Sequence, residues 1–219
     1  MIQLLQQDPL AFVILAAVLL FSLAAHEWGH AWVADRMGDP TARNLGRVTL
    51  NPFNHLDPLG SLLILIVGFG WAKPVLTKPM NFRDYRMGVF WVSIAGILVN
   101  LAIAIAALIL LGSLGVKLSP NGLIATNDFM ASSMGQTLAR VLLTAARINI
   151  ILACFNLIPV PPLDGSKTVQ AFAPKEVQVF LWQLERYGFL LVILLITVFD
   201  RQVNSFIYAV MSFFMKLFL

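Results

Sequence analysis

The chain has 219 residues, 59% of them hydrophobic and 12% charged, with a formal charge of +4 and a mean hydropathy of +0.82. A soluble domain carries about twice that share of charge, which excludes an ordinary soluble globular protein. Lys and Arg gather in the stretches between apolar runs, as the positive-inside rule expects, so the positive charge reports topology and not nucleic-acid binding. The lone Cys154 excludes an intramolecular disulfide framework.

The first apolar run starts at Pro9. Small residues at Ala24 and Ala25 give it a passing likeness to a secretory signal, but Gln3, Gln6, Gln7 and Asp8 precede it with no Lys or Arg, and the run continues as helix beyond them. It is read as a retained span of about 9–34. Further spans are expected at about 88–112, 137–158 and 179–199, with a shorter apolar tail at 203–218. Between the first two spans, the apolar core from Ser61 to Trp71 is short and rich in Gly and β-branched residues, which suits a re-entrant or interfacial segment better than a spanning helix, read here as a β-hairpin. If that segment does not cross, Arg36, Arg43, Arg47, Lys73, Lys78, Arg83 and Arg86 share one side, while the loop at 113–135 has only Lys117 against Asp128. That asymmetry places 35–87 in the cytoplasm and the N-terminus outside. The expected fold is an all-α polytopic membrane protein with about five to six transmembrane helices and one re-entrant segment. A single domain is expected over 1–219, with a core at about 9–172 and accessory helices at about 179–218.

Near the far end of the first span lies His26-Glu27-Trp28-Gly29-His30. The two histidines are four residues apart, so both imidazoles lie on one helix face and can chelate a zinc ion. Glu27 sits beside them without having to bind, placed to take a proton from water and return it to a departing amine. Ionisable groups near mid-membrane cost roughly 2.5–3.5 kcal/mol each, and three polar side chains fall within five positions. The competing reading is a polar knot that joins helices.

Two histidines leave zinc short of the usual three protein ligands. In "CFNLIPVPPLDGSK" a helix breaks at Pro159, Pro161 and Pro162 and then presents Asp164. Opened backbone is tolerated at membrane depth only where protein buries it or it lines a polar cavity. Asp164 is therefore the expected third ligand, its alternative being a cap for a short helix at 166–172.

The HExxH helix, the later "NLIPVPPLDG", the middle span "SIAGILVN" and the intervening "RVTLNPFNHLDPLG" together resemble the site-2 protease family of intramembrane zinc metalloproteases, in particular its compact prokaryotic members. The likeness covers about residues 20–170. It implies one zinc per chain held by His26, His30 and Asp164, Glu27 as catalytic base, and a site toward the cytosolic face of a prokaryotic inner or plasma membrane. It also implies a transmembrane-helix protein as substrate. Ile97 stands where the family's middle span usually has proline, and the peptide-binding module of larger relatives has no counterpart here.

Asn156 and Asn100 are candidates to hold an unwound substrate backbone or to stabilise an oxyanion, the alternative being hydrogen bonds between helices. Ile66 is expected on a strand edge to which substrate adds. Arg140 is expected to snorkel at an outer helix end, and Arg147, deeper, to face protein or water. His55 and Asp57 fit a turn at the membrane surface, with zinc ligation by His55 the lesser reading. The leading function is an intramembrane zinc endopeptidase. A helix-binding adaptor or chaperone that keeps the fold is the alternative, disfavoured because it has no need of Glu27. A zinc transporter is disfavoured because the ligands converge at one depth.

Overall fold

The computed structural model describes residues 2–67, 70–119 and 122–219. In chain order its elements are α1 (Ile2–Gln7), α2 (Pro9–Arg36), α3 (Thr41–Asn44), α4 (Pro58–Val67), α5 (Tyr85–Ser113), strands β1 (Val116–Ser119) and β2 (Gly122–Ala125), α6 (Asp128–Ala131), α7 (Ser133–Leu157), α8 (Asp164–Gln170), α9 (Lys175–Glu185), α10 (Gly188–Val198) and α11 (Asp200–Phe218). The two strands form a small antiparallel hairpin pairing Val116 with Ala125.

Each long helix begins where its sequence supplies a cap. Asp8 accepts from the Ala11 N–H (3.0 Å) ahead of Pro9, Asp84 from Met87 N–H (2.9 Å), and the Ser132 hydroxyl from Gly135 N–H (3.2 Å). Helices α2, α5 and α7 are long and apolar enough to cross a membrane, and α9 with α10 adds a fourth crossing if the pair, bent by 87°, counts as one span. The all-α polytopic class stands, with fewer crossing helices than the apolar runs suggested. The run at 179–199 breaks between Glu185 and Gly188, and the tail at 203–218 lies in α11, where polar residues recur at every fourth position.

α2 and α5 run antiparallel, since His26 meets Asn100 and His30 meets Val92. α7 runs parallel to α2, with Ser22 against Asn149 and Asp8 against Arg140. α4 has ten residues, about 15 Å of helix, too short to cross, so the segment joining α2 to α5 starts and finishes at one end of the bundle. The expected hairpin is corrected here: Ser61–Val67 is helical, started by Pro58 with the Asp57 carboxylate on the Gly60 N–H (2.8 Å). Among the described residues only Leu56 and Ala72 form a bridge nearby, and Gly68 and Phe69 lie outside them. α5 passes through Ile97 unbroken.

Asp39 closes that end of the bundle. Its carboxylate is buried and accepts from Lys78 N–H (2.6 Å), the Thr41 hydroxyl (2.5 Å), the Asn81 side-chain amide (2.8 Å) and Thr41 N–H (3.2 Å). Burial pushes its pKa up, but these donors outweigh burial and hold it below the usual 3.8. A carboxyl depressed on folding stabilises above its unfolded pKa and loses that stabilisation as pH falls through the folded value. The expected result is that wild type in detergent loses thermal stability as pH drops below about 3.8. Asp39→Asn should be less stable than wild type at neutral pH and flatter across the acid range.

The main apolar core lies where α5, α7 and α11 meet, around Leu108, Leu111, Ile150 and Cys154, with Phe214 and Phe218 packed against it. Cys154 is a small buried core residue, as expected.

Candidate metal centre

His26 and His30 lie ten and six residues before the end of α2, about 15 and 9 Å inside it. Asp164 opens α8, brought to their level by the turn that follows α7. The three ligand atoms converge: His26 Nε2 is 3.0 Å from His30 Nε2, and Asp164 Oδ2 is 3.1 and 3.2 Å from the two nitrogens. Among the described residues this is the one group of three or more His, Cys, Asp or Glu residues able to share a metal. Tetrahedral zinc with ligands at 2.0–2.1 Å needs neighbouring ligand atoms about 3.3 Å apart, and the observed triangle is close to that. Asp164 Oδ2 is buried without a hydrogen-bond partner. A bare carboxylate oxygen of that kind needs a cation.

The far side of each imidazole is fixed by protein. His30 Nδ1 donates to the Val92 carbonyl (2.6 Å), which can only accept, so in the neutral ring the Nε2 lone pair faces Asp164. For His26 the proton is set through three helices. Asn149 Nδ2 donates to the Ala145 carbonyl and to Ser22 Oγ (both 2.8 Å), which leaves its Oδ1 toward Asn100 Nδ2 (2.7 Å). Asn100 Oδ1 is thereby turned to accept from His26 Nδ1 (2.6 Å). Both rings present lone pairs to one point. Removing the relay with Asn149→Leu frees the Asn100 amide to rotate, and the expected result is a 10–100-fold weaker zinc affinity, the usual cost of losing such a supporting contact. Competition with a fluorescent chelator measures it.

Two glycines allow this approach. A Cβ on Gly96 would sit 2.5–2.7 Å from three ring atoms of His26, so α5 must be bare there. One on Gly165 would strike the Leu157 and Ile158 carbonyl oxygens, so α8 could not tuck beneath the end of α7.

Glu27 and the three ligands line one cavity of about 440 Å³, together with Asn156 and the main chain around Val75. Glu27 Oε2 accepts from Val75 N–H (2.9 Å). That stretch is pinned in turn by the Arg47 guanidinium, which donates to the Lys73 carbonyl (2.5 Å), and by Lys73 N–H on the His55 carbonyl (2.8 Å). Burial lowers the Arg47 pKa from its ordinary value, with the Glu27 charge acting against it. His55 is buried with Nε2 donating to the Thr49 carbonyl (2.8 Å). Burial, which outweighs that hydrogen bond, and the Arg47 charge keep it below 6.5. His55 stands outside the ligand triangle and serves the turn.

Asn156 lies in the cavity, with one amide proton on the Leu152 carbonyl (3.0 Å). Asn100 does not line it. It is fully buried behind His26, which replaces the expected substrate contact by the interhelical reading. Ile66 sits 44% exposed on α4, away from the cavity, and being helical offers no strand edge. The stretch around Val75 reaches the site instead, lining the cavity with its N–H on Glu27 (2.9 Å). Arg140 pairs with Asp8 (3.3 Å) at the start of the bundle. Asn149 and Val75 were missed. Asn149 had a legible signal: it precedes Asn156 by seven residues and so shares its helix face, whereas a backbone N–H leaves no mark in a sequence.

The fold and this centre define a helical membrane protein of the zinc-metallopeptidase class. The sequence model of Peptidase family M50 matches residues 14–198, and the chain belongs to that family. It is 38% identical over 184 residues to the "Putative zinc metalloprotease YwhC" of Bacillus subtilis, covering 83% of this chain and 78% of that protein. It is 30% identical to the "Putative zinc metalloprotease Rip2" of Mycolicibacterium smegmatis, covering 84% and 67%, and 28% identical to the Mycobacterium tuberculosis protein of the same name, covering 93% and 74%. No solved structure matches it significantly.

Proposed function

We propose that this protein is an intramembrane zinc endopeptidase that hydrolyses peptide bonds within or near transmembrane helices of membrane-protein substrates. One observation carries the reading: Glu27 opens into the same cavity as His26, His30 and Asp164, recessed about 9–15 Å from the end of a span. A carboxylate with no ligand role beside a three-ligand centre is what hydrolysis needs and an inert metal knot does not. His26, His30 and Asp164 would hold one zinc. When bound, zinc supplies Lewis-acid chemistry for the scissile carbonyl and lowers the pKa of water.

The chain's own residues do the rest. Glu27 accepts a proton from water in the cavity and passes it to the departing amine. Val75 N–H holds one carboxylate oxygen and leaves the other for that transfer. Asn156 keeps its second amide proton for a substrate carbonyl or oxyanion. The basic residues on the segment between α2 and α5 support an orientation with that end of the bundle, and the site near it, toward the cytoplasm of a cell membrane.

The test compares wild type with Glu27→Gln on a generic transmembrane-helix substrate in detergent, with zinc content measured for both. The expected result is about one zinc per chain in each protein and a 10²–10⁴-fold loss of cleavage in the variant, the range for a lost general base. Equal or absent cleavage in both, across several substrates and with zinc bound, would move the reading to a helix-binding adaptor.

A further inference from the structure

The groove between α7 and α11 holds the second concentration of charge in the bundle. Asn149 points into the core of α7, whereas Arg147, two residues earlier and so on the opposite side of the helix, lines the groove, is exposed and forms no ion pair among the described residues. It lies fourteen residues after the start of α7 and ten before its end, about 21 and 15 Å from them. An arginine at that depth against lipid costs roughly 2.5–3.5 kcal/mol.

Facing it, α11 presents Asp200, Asn204, Tyr208, Ser212 and Lys216, each four residues after the last, a polar row that winds part-way round the helix. Ile207, Met211 and Met215 line the groove as well as packing on the apolar core, where Val210 and Phe214 join them. The groove has a volume of about 1000 Å³. On α2 and α5, by contrast, Phe21, Leu98 and Ile109 are exposed, as lipid contact requires. Lipid tails cannot satisfy the polar row.

The sign of the charge selects the cover. Arg147, Arg201 and Lys216 stand against Asp200 alone, whose carboxylate already takes the Asn204 amide (2.5 Å). A second copy, paired about an axis along the membrane normal, would set six cations against two acids in a desolvated interface. Lipid phosphates remain at the surface, far from Arg147. We propose that this groove docks a partner transmembrane helix that carries an acidic side chain near mid-membrane, paired by Arg147. The hydroxyls of Tyr208 and Ser212 supply its remaining hydrogen bonds. No residue lines both this groove and the metal cavity, so the proposal stands apart from the proteolytic reading.

The test uses full-length protein, in a Glu27→Gln background so that probes stay intact, reconstituted in phosphatidylcholine vesicles. The probes are synthetic leucine-alanine transmembrane helices with one central Glu, Gln or Lys, and binding is read by energy transfer. The Glu helix should bind about tenfold more tightly than the Gln helix, the low end of coupling for close charge pairs. Arg147→Leu should erase that preference with zinc content unchanged, and Arg147→Lys should keep part of it. Equal binding of Glu and Gln helices, or a preference that survives Arg147→Leu, would overturn the proposal. So would Arg147-dependent self-association without probe, which would assign the groove to a second copy, or tightening only with phosphatidylglycerol, which would assign it to lipid.

Discussion

A Gly96→Leu chain should purify with the HEWGH sequence intact and its metal centre lost. The reason is space. The first added carbon would already stand 2.5 Å from His26 Cε1 and 2.6 Å from Nε2, well inside contact distance, and the isobutyl group would follow it into the ring. The ring cannot retreat, because Nδ1 is tied to Asn100, itself fully buried and tied to Asn149. Either His26 turns away or α5 moves off α2, and both pull Nε2 from the triangle. Displacing a reacting group by about 1 Å costs on the order of 10²-fold in rate, and loss of a ligand costs more. The expected readings are zinc well below one per chain by elemental analysis, no cleavage, and helix content unchanged by far-UV circular dichroism. Full zinc occupancy in this variant would mean that His26 is not a ligand.

Asp164→Asn should separate metal binding from folding. The substitution keeps shape and removes charge. In wild type without metal, Oδ2 is a buried carboxylate oxygen with no hydrogen-bond partner, an arrangement that costs several kcal/mol unless a cation faces it. The metal-free variant should therefore melt at or above the temperature of metal-free wild type. Zinc should raise the melting temperature of wild type, since a ligand that binds only the folded state stabilises it by mass action. It should leave the variant unmoved, with cleavage abolished. If zinc stabilised both proteins equally, the third ligand would have to lie elsewhere.

Much of the centre was legible because helical spacing converts directly into geometry. Histidines four apart must share a face, and a carboxylate after a proline-broken helix is one of few polar groups able to return to that depth. The re-entrant segment was read less well. Its glycines and β-branched residues suggested strand, yet Asp57-Pro58 is a helix-start signal, and the cap prevailed. Ile66 went astray with it. Asn100 was marked as a candidate substrate contact, but its role depends on which neighbour its carbonyl oxygen faces, and that is settled by Asn149 and Ser22 on two other helices. Such relays have no local signature. The grip of Val75 on Glu27 is a main-chain contact across 48 positions, outside the reach of any reading by residue type.

The ligands come from distant parts of the chain. His26 and His30 belong to the first long helix, while Asp164 arrives only after α5 and α7 have been laid against it. During synthesis, then, a half-made protein carries the two histidines and Glu27 but no closed triangle, and two imidazoles alone hold the ion weakly. The triangle can close only once α8 has docked against α2. On the proteolytic reading proposed above, a chain still being inserted would lack its third ligand and so could not yet cut its neighbours.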